Sequence, residues 1–309
     1  MSGKCGVSVV IPCFNASRFL NATLDSVLAQ THPVREVILV DDGSTDDSAE
    51  IAESYGPAVR VIRQSNQGES VARNRGIEAA VGDWVAFVDA DDIWERDKLE
   101  RQMDALSGEE IACVCNVHYF GEVEKPAPPW GASVAKKATL EHICGFHAFL
   151  PSTLMVHRTT APRFPTWTRY GEDYLYSLEL AMRGPIAFVD RPLTRYRVHQ
   201  GSQSAQWKAI VEQDKSLARW LQLHADTLGE LRSHRLREIQ VEVLAHRVRC
   251  LRFARRWGEY ELAVEYLNTL REFPCVQKVL DERVWPRLVY QMVDKLDSVL
   301  SGVTRRGRI

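Results

Sequence analysis

The chain has 309 residues, a formal net charge of −2 and a pI near 6.5. This length allows one large domain or a domain with an appendage, and the near-neutral charge argues against nucleic acid as a partner. Its seven scattered cysteines lack the paired spacing of a zinc site, so we expect reduced, structural thiols.

The first residues show neither a long apolar segment nor a small-residue cleavage site. No apolar run approaches the roughly 18 residues that a membrane-spanning helix needs. We therefore expect a cytoplasmic protein without a transmembrane segment.

The first hundred residues alternate short apolar runs with segments of helical spacing. The predicted elements are a strand at 7–11, a helix at 17–30, a strand at 36–40, a helix at 47–55, a strand at 59–62, a helix at 69–80 and a strand at 84–88. Strands that alternate with helices predict a parallel sheet with right-handed crossovers. The predicted fold class is therefore α/β, a Rossmann-like, mostly parallel sheet flanked by helices.

The pattern is less regular beyond residue 110. It predicts a strand at 111–119, a proline-rich loop at 124–131, an apolar run at 152–157, a helix at 173–182 and a strand at 186–189. From about residue 205 long amphipathic helices dominate, among them a helical hairpin at 246–272 and a helix at 285–300. We place a domain boundary near residue 204, which separates an α/β domain, 1–204, from a helical C-terminal region, 205–309.

Polar residues follow three predicted strands at their carboxyl ends. Pro12, Phe14 and Asn15 follow the first, Asp42 the second, and Asp89-Ala90-Asp91-Asp92 the strand at 84–88. Ligands of open parallel sheets bind at this edge, so we expect these residues to share one crevice. Two carboxylates about 4 Å apart repel by roughly 4 kcal/mol at an effective dielectric of about 20. A divalent cation with an incoming phosphate supplies the counter-charge, and oxygen ligands favour Mg²⁺ or Mn²⁺.

An Asp-x-Asp after a strand is weak evidence when taken alone, because aspartates also form turns and cap helices. Asp92 suits that alternative, as the cap of a helix that continues through Trp94, Lys98 and Leu99.

Four blocks in the first hundred residues resemble the family 2 glycosyltransferases with the GT-A fold: VSVVIPCFN, VILVDDGSTDDS, QSNQGESVARNRG and WVAFVDADDIW. Two later blocks, YGEDYLYSLELAMRG and YRVHQGSQS, are similar to the acceptor-side motif of that family and to the segment that closes its nucleotide-sugar domain. The resemblance covers about residues 5–204. It implies that 1–204 is a GT-A catalytic domain that binds a nucleotide-diphosphate sugar, with UDP the favoured nucleotide.

The resemblance assigns roles to the ends of the first two strands. Pro12, Phe14 and Asn15 match the family's nucleotide platform, with core packing as the alternative for Phe14. Asp42 stands where a carboxylate accepts from the imide N–H of the base, and Asp41 is expected to orient the loop. Stacking plus one hydrogen bond implies a preference for uracil.

Further residues match the diphosphate side of the family's site. Asp89 resembles the acid that faces the ribose and Asp91 the acid that holds the metal, so both are predicted metal-site residues for Mn²⁺ or Mg²⁺. Gly68 is expected to let a helix N-terminus approach the ligand, and Arg73 to pair with phosphate or with a carboxylate. His199 is expected to approach the diphosphate or the metal, with an ordinary loop histidine as the alternative.

Glu172 and Asp173 match the family's acceptor-side acids, with Asp173 as the general base. Ordinary first-turn acids of a helix are the alternative. The resemblance also implies inversion at the anomeric carbon, which needs a base behind the acceptor hydroxyl, while the metal neutralises charge on the leaving diphosphate. The expected acceptor is a glycan, a lipid-linked saccharide or a protein, as in cell-surface polysaccharide or glycoconjugate biosynthesis.

Three alternatives concern the activity as a whole. Polysaccharide synthases of the family carry Gln-x-x-Arg-Trp, but here Gln213 lies six residues before Arg219, which favours addition of a single sugar over processive synthesis. A sugar nucleotidyltransferase is disfavoured because PCFNASRF is not a glycine-rich loop with Arg and Lys. A non-catalytic nucleotide-sugar binder, with the helical region as a scaffold, stays open.

The apolar helix faces of 205–309 have two explanations. They could dock on anionic lipid at the inner face of the membrane, or they could be buried against the catalytic domain or a second copy in a homodimer.

Overall fold

The computed structural model describes residues 6–122 and 149–199, the backbone of 125–126 and 137–138, and residues 213, 216, 219, 220, 223 and 224. The chain forms two units, Met1–Gln213 and Asp214–Ile309. The predicted boundary near residue 204, the hairpin at 246–272 and the helix at 285–300 lie outside the described residues and stay predictions. Within the described ranges, no helix is both long and apolar enough to cross a membrane.

The first half of the α/β unit follows the predicted alternation. Its elements are β1 (Val7–Cys13), α1 (Ser17–Leu28), β2 (Val34–Asp41), α2 (Ser48–Ser54), β3 (Val59–Arg63), α3 (Glu69–Ala79) and β4 (Trp84–Phe87). β1 pairs in parallel with β2 and β4, and β2 pairs in parallel with β3. These strands end at one edge of the sheet, which places the residues that follow them near one another.

The second half of the sheet is mixed. Its elements are β5 (Ile93–Trp94), α4 (Lys98–Asp104), β6 (Ala112–Gly121), β7 (Lys125–Pro126), β8 (Lys137–Ala138), β9 (Leu154–His157), α5 (Glu172–Arg183) and β10 (Ile186–Val198). β9 lies antiparallel between β4 and β6, whereas β10 is parallel to β6 and antiparallel to β5. The strand order is β3-β2-β1-β4-β9-β6-β10-β5. The predicted α/β class is confirmed, with an antiparallel part that the sequence pattern did not predict.

The central strand β1 is buried on both faces, as its unbroken apolar sequence predicts. Val9 and Ile11 belong to the core cluster that also contains Leu24 of α1. On the other face α3 lies very close to β1, because a Cβ atom added to Gly76 would be only 2.2 Å from Cγ1 of Val10. Glycine at this position therefore sets the distance between α3 and the sheet.

Pro12 lies inside β1 without costing the sheet a hydrogen bond. The carbonyl of Cys13 accepts from the N–H of Asp42 at 2.8 Å, so Cys13 faces β2 and the nitrogen of Pro12 faces the opposite side. On that side the pairing with β4 ends at Val10 and Phe87. The missing N–H of proline thus falls where β1 extends beyond β4.

The predicted helix cap at Asp92 is wrong. Trp94 belongs to β5 and pairs with Thr194 of β10, and α4 begins only at Lys98 with Asp97 at its N-cap position. Pairing with a distant strand overrides the helical spacing of these residues. Asp92 is instead completely buried in the turn after β4.

Candidate active site

The Asp42 carboxylate, which directly follows β2, holds the N-terminus of α3. Oδ1 accepts from the side-chain nitrogen of Gln64 at 2.7 Å and from the backbone N–H of Gln67 at 2.8 Å. Oδ2 accepts from the N–H of Gly68 at 2.7 Å. Gly68 has a φ of 94°, in the region that favours glycine, and this turn directs the N–H groups toward Asp42. The predicted contact of Asp42 with a base stays a prediction.

The residues after β1 are tied to the loop after β2. Asn15 has a positive φ of 51°, and its Oδ1 accepts from the N–H of Thr45 at 2.7 Å. Its own N–H donates to Oγ of Ser44 at 3.0 Å. The neighbouring Phe14 ring is 47% exposed, which does not fit core packing and suits stacking against a flat ligand.

Arg73 joins three elements through its guanidinium group. Nη2 donates to Glu69 at 2.9 Å and to Asp89 at 2.8 Å, and Nη1 lies 3.5 Å from Oε1 of Glu172. The side chain is 1% exposed, and Cζ lies 5.3 Å from the ring centre of Phe164. Of the two expected partners of Arg73, the structure shows the carboxylates. Arg73 thereby links Asp89, the predicted donor-side acid, with Glu172, a predicted acceptor-side acid.

Asp91 and His199 lie in direct contact. Nε2 of His199 is 3.0 Å from Oδ2 of Asp91. The segment that carries His199 is attached to the same turn, since the N–H of Arg197 donates to Oδ1 of Asp92 at 2.8 Å and Nε of Arg197 donates to the carbonyl of Asp91 at 2.8 Å. The two residues that the sequence predicts for the metal and diphosphate thus lie at one point.

Glu172 and Asp173 are the first two residues of α5, where the helix dipole favours negative charge. Oδ1 of Asp173 accepts from the N–H of Tyr174 at 2.7 Å. Asp173 also interacts electrostatically with Arg73 and Asp89. The two predicted acceptor-side acids therefore both interact with Arg73.

Seven of the predicted site residues form three contact groups: Asp42 with Gly68, Arg73 with Asp89 and Glu172, and Asp91 with His199. The other four, Pro12, Phe14, Asn15 and Asp173, take part in none of these contacts.

Burial and neighbouring negative charges raise the pKa values of several acids in the site. Burial, followed by the charge of Asp173, raises the pKa of Glu172 to about 8. Burial and then the charge of Asp89 raise the pKa of Asp91. The pKa of Asp92 is raised well above its usual value by burial and then by the charges of Asp89 and Asp91. Burial is the first cause in each case and neighbouring negative charge the second, so additional positive charge would stabilise the ionised acids.

The residues present fit a divalent cation that is shared with a ligand. Over the described part of the chain, no group of three or more His, Cys, Asp or Glu is arranged to hold a metal on its own. Asp91 and His199 still supply an oxygen and a nitrogen donor, and Mg²⁺ in particular is often held by one or two carboxylates together with substrate phosphates. A cation here would also stabilise the ionised form of Asp91, whose pKa is raised first by burial and then by the charge of Asp89.

Arg197 belongs to the candidate site but was not predicted from the sequence. Arg197 packs between Phe19 and Phe120, with Cζ at 4.5 Å and 4.3 Å from their ring centres. The detectable signal was the alternation of Arg195, Arg197 and His199, which places all three on one face of an extended segment.

Comparisons with known proteins identify the family. The model of glycosyl transferase family 2 matches residues 8–161. The putative teichuronic acid biosynthesis glycosyltransferase TuaG of Bacillus subtilis (strain 168) is 32% identical over 213 residues, which are 66% of this chain and 83% of TuaG. The chain belongs to glycosyl transferase family 2. The prediction of a glycosyltransferase is thereby confirmed at the level of the family.

A second relative, the uncharacterized glycosyltransferase YibD of Escherichia coli (strain K12), is 52% identical over 95 residues, which are 30% of this chain and 28% of YibD. The matched part thus spans less than a third of that relative. Among solved structures, S. aureus TarS 1–349 in complex with UDP-GlcNAc matches with a TM-score of 0.72 and 19% identity, over 98% of this chain and 92% of that chain. At this identity the likeness concerns the fold, and it confirms the GT-A-type architecture.

Proposed function

We propose that this family 2 member is a metal-dependent, inverting glycosyltransferase that moves one sugar from a nucleotide-diphosphate sugar, with UDP favoured, to a hydroxyl group of a glycan, a lipid-linked saccharide or a protein. One observation carries the proposal. Arg73 binds both Asp89, on the donor side, and Glu172, next to the proposed base. Donor and acceptor motifs that are far apart in sequence therefore meet at one buried charge.

The donor side consists of the ends of β1, β2 and β4. The exposed Phe14 ring offers a surface for the base, and Asp42 is the proposed acceptor for its N–H. TarS, which shares the fold, was solved with UDP-GlcNAc, and this supports UDP as the nucleotide. Asp91 and His199, with Asp89 beside them, would hold Mn²⁺ or Mg²⁺, which neutralises charge on the leaving diphosphate.

Asp173 is the proposed general base. Its pKa is raised chiefly by burial, which brings a carboxylate closer to the pH at which it accepts protons efficiently. Glu172, whose pKa is raised by burial and then by the charge of Asp173, contacts Arg73 and serves to orient the cluster. As the acceptor oxygen bonds to the anomeric carbon, its proton moves to Asp173. The bond to the diphosphate breaks on the opposite face, which inverts the configuration.

The activity test uses the purified chain with UDP-sugars, Mn²⁺ and a panel of glycan and lipid-linked acceptors. Nucleotide release should depend on the acceptor, and Asp91→Asn and Asp173→Asn should each lower it by about a hundredfold or more. Asp104→Asn, an exposed acid at the end of α4, is the matched control and should retain the wild-type rate. Wild-type rates in both site variants would refute the assignment. Tight UDP binding without turnover on any acceptor would favour the non-catalytic binder.

The proposal extends to location and assembly. We propose a cytoplasmic enzyme whose C-terminal region, 205–309, contacts the acceptor, a second copy of the chain or the inner face of the membrane. Sedimentation velocity tests for the homodimer. Co-sedimentation with vesicles that contain anionic lipid tests for peripheral membrane contact, since such binding requires basic and apolar surface together.

A further inference from the structure

The end of β10 is attached to the turn after β4 at three points. The N–H of Arg197 donates to Oδ1 of Asp92 at 2.8 Å, and Nε of Arg197 donates to the carbonyl of Asp91 at 2.8 Å. Two residues further along, His199 meets the Asp91 carboxylate at 3.0 Å. The first contact fixes the backbone two residues before His199, so it sets where the imidazole ring can reach.

Asp92 is itself firmly held. It is completely buried, and its N–H donates to the carbonyl of Asp89 at 3.1 Å. Oγ1 of Thr23, in α1, donates to the carbonyls of Asp92 at 2.8 Å and Ala90 at 3.0 Å. Asp92 thus connects the turn to α1 through its backbone and to β10 through its side chain.

The Asp92 carboxyl group is not explained by packing alone. Oδ2 is buried and makes no hydrogen bond of ordinary geometry among the described residues, while the side chain of Ser152 interacts with the carboxyl group. A buried oxygen without a well-formed hydrogen bond costs stability, so an apolar side chain would be the cheaper way to fill this space. The hydrogen bond that Oδ1 accepts from the backbone of Arg197 is an interaction that such a side chain could not provide.

The side chain of Arg197 completes the attachment. Its guanidinium lies between Phe19 of α1 and Phe120 of β6, and the Phe19 ring lies 5.1 Å from the ring of His199. Cations stack favourably on aromatic rings. The residues that carry His199 are therefore held from two neighbouring elements as well as from the turn.

We propose that Asp92 is a positioning residue for donor binding. Its hydrogen bond with Arg197, which we call the latch, holds His199 against Asp91 so that both can meet the cation and the diphosphate. This inference rests on the proposed function, because the ligand in question is a nucleoside diphosphate with a divalent cation.

The test compares two substitutions of similar size. Asp92→Leu removes the acceptor oxygen of the latch, whereas Asp92→Asn retains an oxygen for the N–H of Arg197. Calorimetry with UDP and Mn²⁺ should show a dissociation constant about tenfold higher for Asp92→Leu, the effect typical of losing a group that orients a metal ligand. Asp92→Asn should remain within about twofold of the wild type, a difference too small to indicate a lost interaction. Equal losses in both variants would overturn the proposal.

A double-mutant cycle separates positioning from general damage. If Asp92 acts through His199, adding Asp92→Leu to His199→Ala should raise the dissociation constant little further, because the positioned group is already missing. UDP binding in EDTA should be the same in the wild type and Asp92→Leu. Fully additive effects in Mn²⁺, or equal weakening with and without metal, would show that Asp92 only supports the fold.

Hydrogen exchange of the Arg197 amide, followed by NMR, tests the latch without any ligand. Exchange should be faster in Asp92→Leu than in the wild type or in Asp92→Asn. Unchanged exchange in Asp92→Leu would overturn the latch. A wild-type chain that binds no UDP would instead refute the proposed function, while the exchange measurement would still decide whether the latch exists.

Discussion

Arg73 shows how one buried charge can organise a site. Its guanidinium is shared by Glu69, Asp89 and Glu172, which come from α3, the turn after β4 and α5. Burial alone would lower the pKa of Arg73, but these carboxylates raise it above its usual range. The positive charge is thus retained inside the protein, where it offsets part of the repulsion among the acids.

Replacement of Arg73 should therefore be costly. Arg73→Met leaves buried carboxylates without their partner, and we expect the free energy of unfolding to fall by about 3–5 kcal/mol in urea denaturation. Arg101→Met is the matched control, because Arg101 pairs with Asp97 one helical turn away and is partly exposed. The free energy of unfolding of Arg101→Met should fall by less than about 1 kcal/mol. Similar losses in both variants would contradict the role given to Arg73.

Lys98 is a second buried charge, outside the site. Nζ donates to Oε1 of Gln102 at 2.7 Å and lies 4.0 Å from the ring centre of Trp94. Burial lowers the pKa of Lys98 from 10.5 to about 8. The unfolded chain therefore binds a proton at Lys98 between pH 8 and 10.5 that the folded chain has largely lost.

This difference in bound protons determines how stability changes with pH. Stability should rise with pH between about 8 and 10.5, by up to about 3 kcal/mol, whereas below pH 8 the contribution of Lys98 should not vary with pH. Burial raises the pKa of Cys13 to about 12, which acts in the opposite direction at alkaline pH. The measurement is therefore the wild-type free energy of unfolding minus that of Lys98→Met at each pH. A difference that stays constant from pH 7 to 10 would contradict the prediction.

At the scale of elements, the sequence predicted the parts of the fold that local patterns encode. β1 to β4 and the helices between them were predicted because apolar runs alternate with helical spacing there. The antiparallel placement of β9 was not predicted, because strand pairing across a long connection leaves no local pattern.

The same distinction applies to the site. The sequence predicted Asp91 and His199 for one location, and the structure places them in contact. The carboxylate partners of Arg73 could not be chosen in advance, since Asp89 and Glu172 lie 16 and 99 residues away in sequence. The helix cap considered for Asp92 does not form, because α4 begins only at Lys98. The sequence around an aspartate that caps a helix and around one that is buried at the end of a strand can look the same.

The close packing of α3 on β1 predicts how substitutions at Gly76 and Val10 affect stability. Gly76→Ala would place Cβ 2.2 Å from Cγ1 of Val10, so it should destabilise the protein by about 1–3 kcal/mol despite the higher helix propensity of alanine. Val10→Ala removes the clashing methyl groups. The penalty of Gly76→Ala should shrink by about 1 kcal/mol or more in that background, as measured by urea denaturation. An equal penalty in both backgrounds would show that the close approach is not the cause.

At the scale of the whole molecule, the placement of the domain boundary affects the site. Gln213 packs against Gly171, where an added Cβ would lie 2.5 Å from Cγ of Gln213. Gly171 is the N-cap residue of α5 and immediately precedes the proposed acceptor-side acids. A fragment that ends at residue 204 lacks this contact, whereas one that ends at residue 213 retains it.

The two fragments should therefore behave differently. We expect fragment 1–213 to bind UDP with Mn²⁺ within about twofold of the full chain, and fragment 1–204 to melt roughly 2–8 °C lower than 1–213. Calorimetry measures both quantities. Gln213→Ala in the full chain is the control that removes the contact without truncation. Identical melting of the two fragments would show that the contact with Gly171 contributes nothing.

In the proposed function Asp42 accepts a hydrogen bond from the base, so the bonds that it makes within the protein limit how the choice of nucleotide can be changed. Because Asp42 supports the start of α3 through Gln67 and Gly68, altering it to suit a different base would also loosen that helix. Phe14 is exposed, so its replacement should not loosen α3. Efforts to engineer acceptance of a guanine or thymine donor, and natural divergence toward one, should therefore proceed through substitutions at Phe14 while Asp42 stays in place.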